Sequence, residues 1–231
     1  MKQNASVKMV LAIIALVIVG FLYLFLAGCN SGGAGYYAAP QDEISRLKEC
    51  ECINQAFLEG FPEFESLDDY EKTVTLRDHV HWLSEWGQDW FELPYRCEYY
   101  LALLDGEITA LCAIRSYTFG ALLDCQEFDY RLVTLQTEDS HYFSEDEPDG
   151  HTVVEVWQFD HWEMHDPLFN IHGEFAGEVL SVDEISTLLD SGEEIQWSTD
   201  GFEARVSFDD WPFPYEDYYF TVIYWVSGVF E

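Results

Sequence analysis

Apolar residues recur every three or four positions over the first folded part of the chain. Ile44, Leu47, Cys50, Phe57 and Leu58 follow a helical repeat that stops at Gly60 and Pro62. A second stripe runs through Leu76, Val80, Leu83, Trp86 and Trp90, and predicts another helix. From Cys97 the pattern changes to alternation. Asp105-Gly106 is the preferred pair for a two-residue hairpin turn. With that turn, one face carries Cys97, Tyr99, Leu101 and Leu103 on one strand, and Ile108, Ala110, Cys112 and Ile114 on the other. The register sets Cys97 diagonally beside Cys112, which makes these two the leading disulfide pair.

Further strands are expected at 119–124, 128–137, 152–160 and 174–180. Ser181 and Glu184 form a capping box, and Ile185, Leu188 and Leu189 make the stripe of a short helix ended by Gly192. Asp200-Gly201 marks another hairpin, and the run "YYFTVIYWVSGVF" at the end is expected to be a strand covered on both faces. The fold class that follows is α+β, mainly antiparallel sheet with two or three short helices, in a single domain over 41–231.

The segment before it has a different character. Lys2 and Lys8 precede an apolar stretch from Met9 to Gly28, the layout of a targeting segment. Leu26-Ala27-Gly28-Cys29 resembles the lipobox of bacterial lipoproteins, and the resemblance covers this signal alone. It implies a signal peptide over 1–28, a lipidated Cys29, and a small-residue tether over 29–40. In a Gram-negative host, Asn30 after the cysteine implies the outer membrane. The apolar stretch is also long enough to cross a bilayer, so a single-pass anchor is the alternative. Either way the rest of the chain lies outside the cytoplasm, in the cell envelope.

Charge narrows the partners. The chain has 44 Asp and Glu against 10 Lys and Arg, a formal net charge of -34. Such a field excludes nucleic acid as a partner and favours basic proteins or divalent cations. Beyond Cys29, five cysteines remain: Cys50, Cys52, Cys97, Cys112 and Cys125. Two disulfides in an oxidising compartment would leave one thiol over.

Candidate chemistry centres on "FDHWEMHDPLFNIH". On a strand, His161, Glu163 and His165 project to one face, with His172 and Asp160 or Asp166 nearby, a donor set suited to zinc. His79, His81 and Glu85 imitate a metal motif, but on a helix residues two apart diverge by about 200° and do not share an ion. Glu145, Glu147, Asp149 and Gly150 approximate a calcium loop that lacks its closing glutamate, Val156 standing where it belongs. No GxSxG, SxxK or Walker signature occurs, and a triad assembled only in space leaves no such trace. Trp211 to Tyr215 is a proline-bounded loop suited to presenting aromatic rings outward. Taken together, the expectation is a non-enzymatic envelope binding or assembly protein with no cofactor. A metal-dependent enzyme using zinc or calcium is the alternative.

Overall fold

Polar caps and glycines punctuate the chain where it changes direction. The computed structural model describes residues 43–83, 85, 96–136, 150–203, 215–219 and 221–225. Helix α1 spans Glu43–Gly60 and α2 spans Asp69–Leu83. Asp68 opens α2 with a reciprocal cap: its Oδ1 accepts from Glu71 N at 2.9 Å, and Glu71 Oε2 accepts from Asp68 N at 3.1 Å. Helices α3 (Arg96–Leu104), α4 (Cys112–Cys125) and α5 (Val182–Asp190) follow, and α5 carries the expected Ser181–Glu184 capping box.

Strands β1 (Tyr130–Gln136), β2 (Gly150–Gln158), β3 (His161–His165) and β7 (Thr221–Trp225) form one antiparallel sheet in the order β3-β2-β1-β7. A smaller antiparallel sheet has the order β5-β4-β6, from β4 (His172–Phe175), β5 (Glu178–Val179) and β6 (Gln196–Ser198). The α+β class is therefore the observed one. Alternation along β1 and β2 sends their side chains into two cores. Leu132, Val154 and Val156 meet Ile53, Phe57, Leu76 and Leu122 from α1, α2 and α4. Val133, Leu135 and Val153 meet Met164, Phe169 and Ile185 on the opposite face. Helix α4, buried almost all round, lies across β1 and β2.

The expected hairpin over 97–114 is replaced by α3 and α4, and the strand expected at 119–124 is the second half of α4. The reason lies at Gly106, whose φ of +69° ends a helix rather than turning a hairpin. Gly106 N donates to Leu103 O and Glu107 N to Ala102 O, the paired bonds of a Schellman stop. Tyr99, Tyr100 and Leu103 are buried at helical spacing, so a nearly all-apolar run satisfied both periodicities. The strand expected at 174–180 is a hairpin, β4 to β5, with Ala176 and Gly177 both at positive φ.

The cysteine pairing changes with the helices. Cys50 is bonded to Cys125 and Cys52 to Cys97, so the expected Cys97–Cys112 bond is corrected and Cys112 is a free, partly exposed thiol. Two residues apart on α1, Cys50 and Cys52 point to different neighbours, one to the end of α4 and one to the start of α3. Among the described residues no helix is long and apolar enough to cross a membrane; Cys29 and the apolar stretch before it lie outside them.

Candidate active site

The odd cysteine stands at the first residue of α4. Its N-cap, Leu111, is extended and supplies no side-chain cap, and the first intrahelical bond there is Arg115 N to Leu111 O. The N–H groups of Cys112, Ala113 and Ile114 precede that bond and point out of the helix end, where the dipole favours negative charge. Beside the sulfur is His151, near the start of β2. The thiol lies close enough to favour the charged form of this imidazole, whose Nε2 meets Asp166 Oδ2 at 2.5 Å. Its Nδ1 is buried and makes no hydrogen bond.

Asp166 follows β3 directly and every lone pair it carries has a donor. Tyr215 OH donates to Oδ2 at 2.7 Å, and the N–H groups of Leu168 and Phe169 donate to Oδ1 at 2.8 and 3.2 Å. Both His151 and Asp166 are fully buried. Burial opposes charge on His151, but the Asp166 carboxylate, its hydrogen bond and Cys112 outweigh it and raise the imidazole to about 10. Burial likewise opposes the Asp166 carboxylate, and His151, Tyr215 and the backbone donors hold it below its usual range. At neutral pH the site is thus an imidazolium between a carboxylate and a sulfur, with helix N–H groups at hand for an oxyanion.

Two buried side chains brace this arrangement. Arg115, one turn along α4 from the thiol, donates to the carbonyls of Val80 and His81 at the end of α2 and to Ala110 just before Cys112. His81 donates through Nδ1 to Leu168 O at 2.9 Å, in the turn whose N–H groups hold Asp166. Burial, with the Arg115 charge, lowers His81 to about 4, so it stays a neutral donor. Helix α2 is in this way tied to both the Cys112 segment and the turn that holds the Asp166 carboxylate.

The residues expected to bind metal form a separate polar layer against α2. Glu163 lies between His161 at 3.5 Å and His165 at 3.8 Å, and His172 joins them through Arg77. Arg77, fully buried, donates to Asn170 Oδ1, Asp200 Oδ2, His165 Nδ1 and His172 Nδ1. Arginine has no acceptor atom, so the bond to His165 Nδ1 requires a lone pair there and puts the ring proton on Nε2. That leaves Nε2, which faces Glu163, without a lone pair for a metal. Burial first, then Arg77 and His172, keep His165 neutral, while burial raises Glu163. No group of three His, Cys, Asp or Glu among the described residues is placed to hold an ion.

Glu145, Glu147 and Asp149 lie outside the described residues, and Glu155 turns inward to Arg131 and to Val182 N. Trp211 to Pro214 lie outside them too, whereas Tyr215 is buried against Asp166 instead of facing outward. The grouping of Cys112, His151 and Asp166 was not legible from the sequence. One signal pointed to it: the five cysteines beyond Cys29 are an odd number, and one that takes no disulfide is a nucleophile candidate. No protein-family model, curated protein or solved structure matches the chain.

Proposed function

We propose that the protein is an exported, lipid-anchored thiol enzyme that transfers acyl groups through Cys112. The observation that carries the reading is the line Cys112, His151, Asp166, with an uncapped helix N-terminus at the sulfur. Each part has a task in acyl transfer. The sulfur, its proton given up to solvent, attacks as the thiolate the carbonyl carbon of an amide or ester, and the carbonyl oxygen takes the electron pair and faces the N–H groups of Cys112 and Ala113. As the tetrahedral intermediate collapses, His151 Nδ1–H protonates the departing amine or alkoxide, and a thioester remains on Cys112. Water or a second amine then attacks the thioester, His151 takes its proton, and the thiolate leaves beside the restored imidazolium. Asp166 keeps the ring oriented and stabilises its charge throughout.

Export is supported by the lipobox-like Leu26-Ala27-Gly28-Cys29 and by two disulfides, which persist in oxidising compartments. The triad is tested by reacting the native protein with p-nitrophenyl acetate and locating the acetyl group by mass spectrometry. Acetylation of Cys112 should exceed that in urea-denatured protein or in His151→Gln by roughly tenfold or more. Equal rates in native and denatured protein would show an ordinary thiol. Intact mass of membrane-extracted protein against Cys29→Ser tests the anchor: retained Met1 in the wild type would remove it.

A further inference from the structure

A second site lies at the opposite end of α4 and β2 from the thiol. Cys112 heads α4 and Gln126 follows it; a helix of 14 residues separates them by roughly 20 Å. Here a cavity of about 540 Å³ opens between the start of α2, the turn after α4 and the β2–β3 turn. That is the size of a pocket for one or two side chains. Trp157 and Phe159 line it and are 41% and 69% exposed, unusual values for rings this large.

Its polar lining is almost wholly acceptor. Asp69, Glu127, Asp129 and Asp160 contribute carboxylates, none of them in an ion pair with a described residue. Gln158 is 6% exposed, and its amide Nε2 is committed to Asp69 O at 2.9 Å and Thr73 Oγ1 at 2.8 Å. Its Oε1 is buried without a hydrogen-bond partner. Such an acceptor is costly unless a donor reaches it. The one cationic side chain in the lining, Lys72, lies over the Phe64 ring at 5.9 Å.

We infer that this cavity binds an arginine side chain of a basic peptide segment. The ligand must be rich in donors and positive, because carboxylates, an unfilled carbonyl oxygen and aromatic faces surround it. A sugar would need donors from the wall as well as acceptors, and the Gln158 amide is already taken. A planar guanidinium meets all three features at once: it stacks on an indole, forks onto carboxylates and donates in several directions. The acidity of the whole chain brings such a partner in, and this cavity gives it a place to bind. Cys112 chemistry plays no part in this binding.

The test titrates the disulfide-intact protein with an acetylated, amidated Gly-Arg-Gly-Arg peptide and with its citrulline twin, followed by calorimetry. The arginine peptide should bind and the twin should weaken by roughly tenfold or more, since the ureido group keeps the shape but loses the charge and puts an acceptor oxygen in place of one NH2 donor. Binding should also weaken severalfold between about 50 and about 300 mM salt. Phe159→Ser and Asp160→Asn alter exposed turn side chains; each should weaken binding by roughly threefold to tenfold while the far-UV spectrum is kept. Equal affinity for the citrulline peptide would overturn the inference. So would full affinity in the Phe159→Ser, Asp160→Asn double variant, which would place the peptide elsewhere on the acidic surface. Binding of a neutral oligosaccharide, lost in that double variant, would make the cavity a glycan site instead.

Discussion

Asp166→Asn isolates the electrostatic part of the triad. Asparagine keeps the shape of the side chain and removes its charge. In the native protein His151 rises from 6.5 to about 10, which corresponds to about 5 kcal/mol favouring the imidazolium. Burial is the largest single influence on this ring and acts against the charge; without the carboxylate it prevails, and the variant imidazole should titrate below 6.5. Carbon-bound ring protons followed by NMR report that midpoint directly. Cys112 alkylation by iodoacetamide at about pH 6 should slow by at least tenfold in the variant, because the positive partner of the sulfur is gone. Thioester formation should fall by roughly a hundredfold to ten-thousandfold. Stability carries the same signature in the wild type. Between 6.5 and about 10 the folded protein holds a proton that the unfolded chain has lost, so stability declines as pH rises through that window. Asp166, held low in the fold, contributes stability above the ordinary carboxylate value that is lost as pH falls. An Asp166→Asn protein whose His151 still titrates near 10, or whose alkylation rate at about pH 6 is unchanged, would refute the assignment.

Cys52→Ser opens a loop of 45 residues and should cost about 4 kcal/mol by loop entropy, read from urea unfolding. Gly106→Ala places a side chain at a φ of +69° in open space, so it should lower stability by about 1 kcal/mol through backbone strain alone, visible as a shifted urea midpoint with an unchanged slope. Arg77→Met strips donors from buried His165 and from Asp200, and should cost about 3 to 5 kcal/mol. Asp200, whose burial is now outweighed by His172, Arg77 and Tyr70, should move toward ordinary carboxylate behaviour in that variant, followed by carboxyl-carbon NMR. His81→Phe removes the donor to Leu168 O without changing burial, and should slow acylation at constant helix content; an unchanged rate would leave His81 a packing residue only.

Local signals were sufficient for much of the fold. The helical stripes of α1 and α2, the Ser181–Glu184 box of α5, and the alternation of β1, β2 and β3 are each written within a few residues. His161, Glu163 and His165 were placed on one strand face for the same reason, and the structure puts them there. Their chemistry was not legible, because Arg77 on a distant helix decides which imidazole nitrogen carries the proton. The run from Cys97 to Cys125 fits strand and helix periodicity alike, because its apolar residues are dense enough to satisfy either spacing. Only packing resolved it: α4 is covered by α1, α2 and the sheet, an environment that buries a helix nearly all round, with Arg115 satisfied by backbone carbonyls.

What the sequence by itself determined is the α+β class, the helices with clear stripes and caps, the acidic charge, and an odd number of cysteines beyond Cys29, one of which two disulfides leave over. The tertiary structure decided which thiol that is, and what it faces. Cys112, His151 and Asp166 come from a helix start, a strand start and a strand end, separated by 39 and 15 residues. A residue's neighbours along the chain set its local geometry, but hydrogen bonds across such separations exist only once the sheet and α4 have packed.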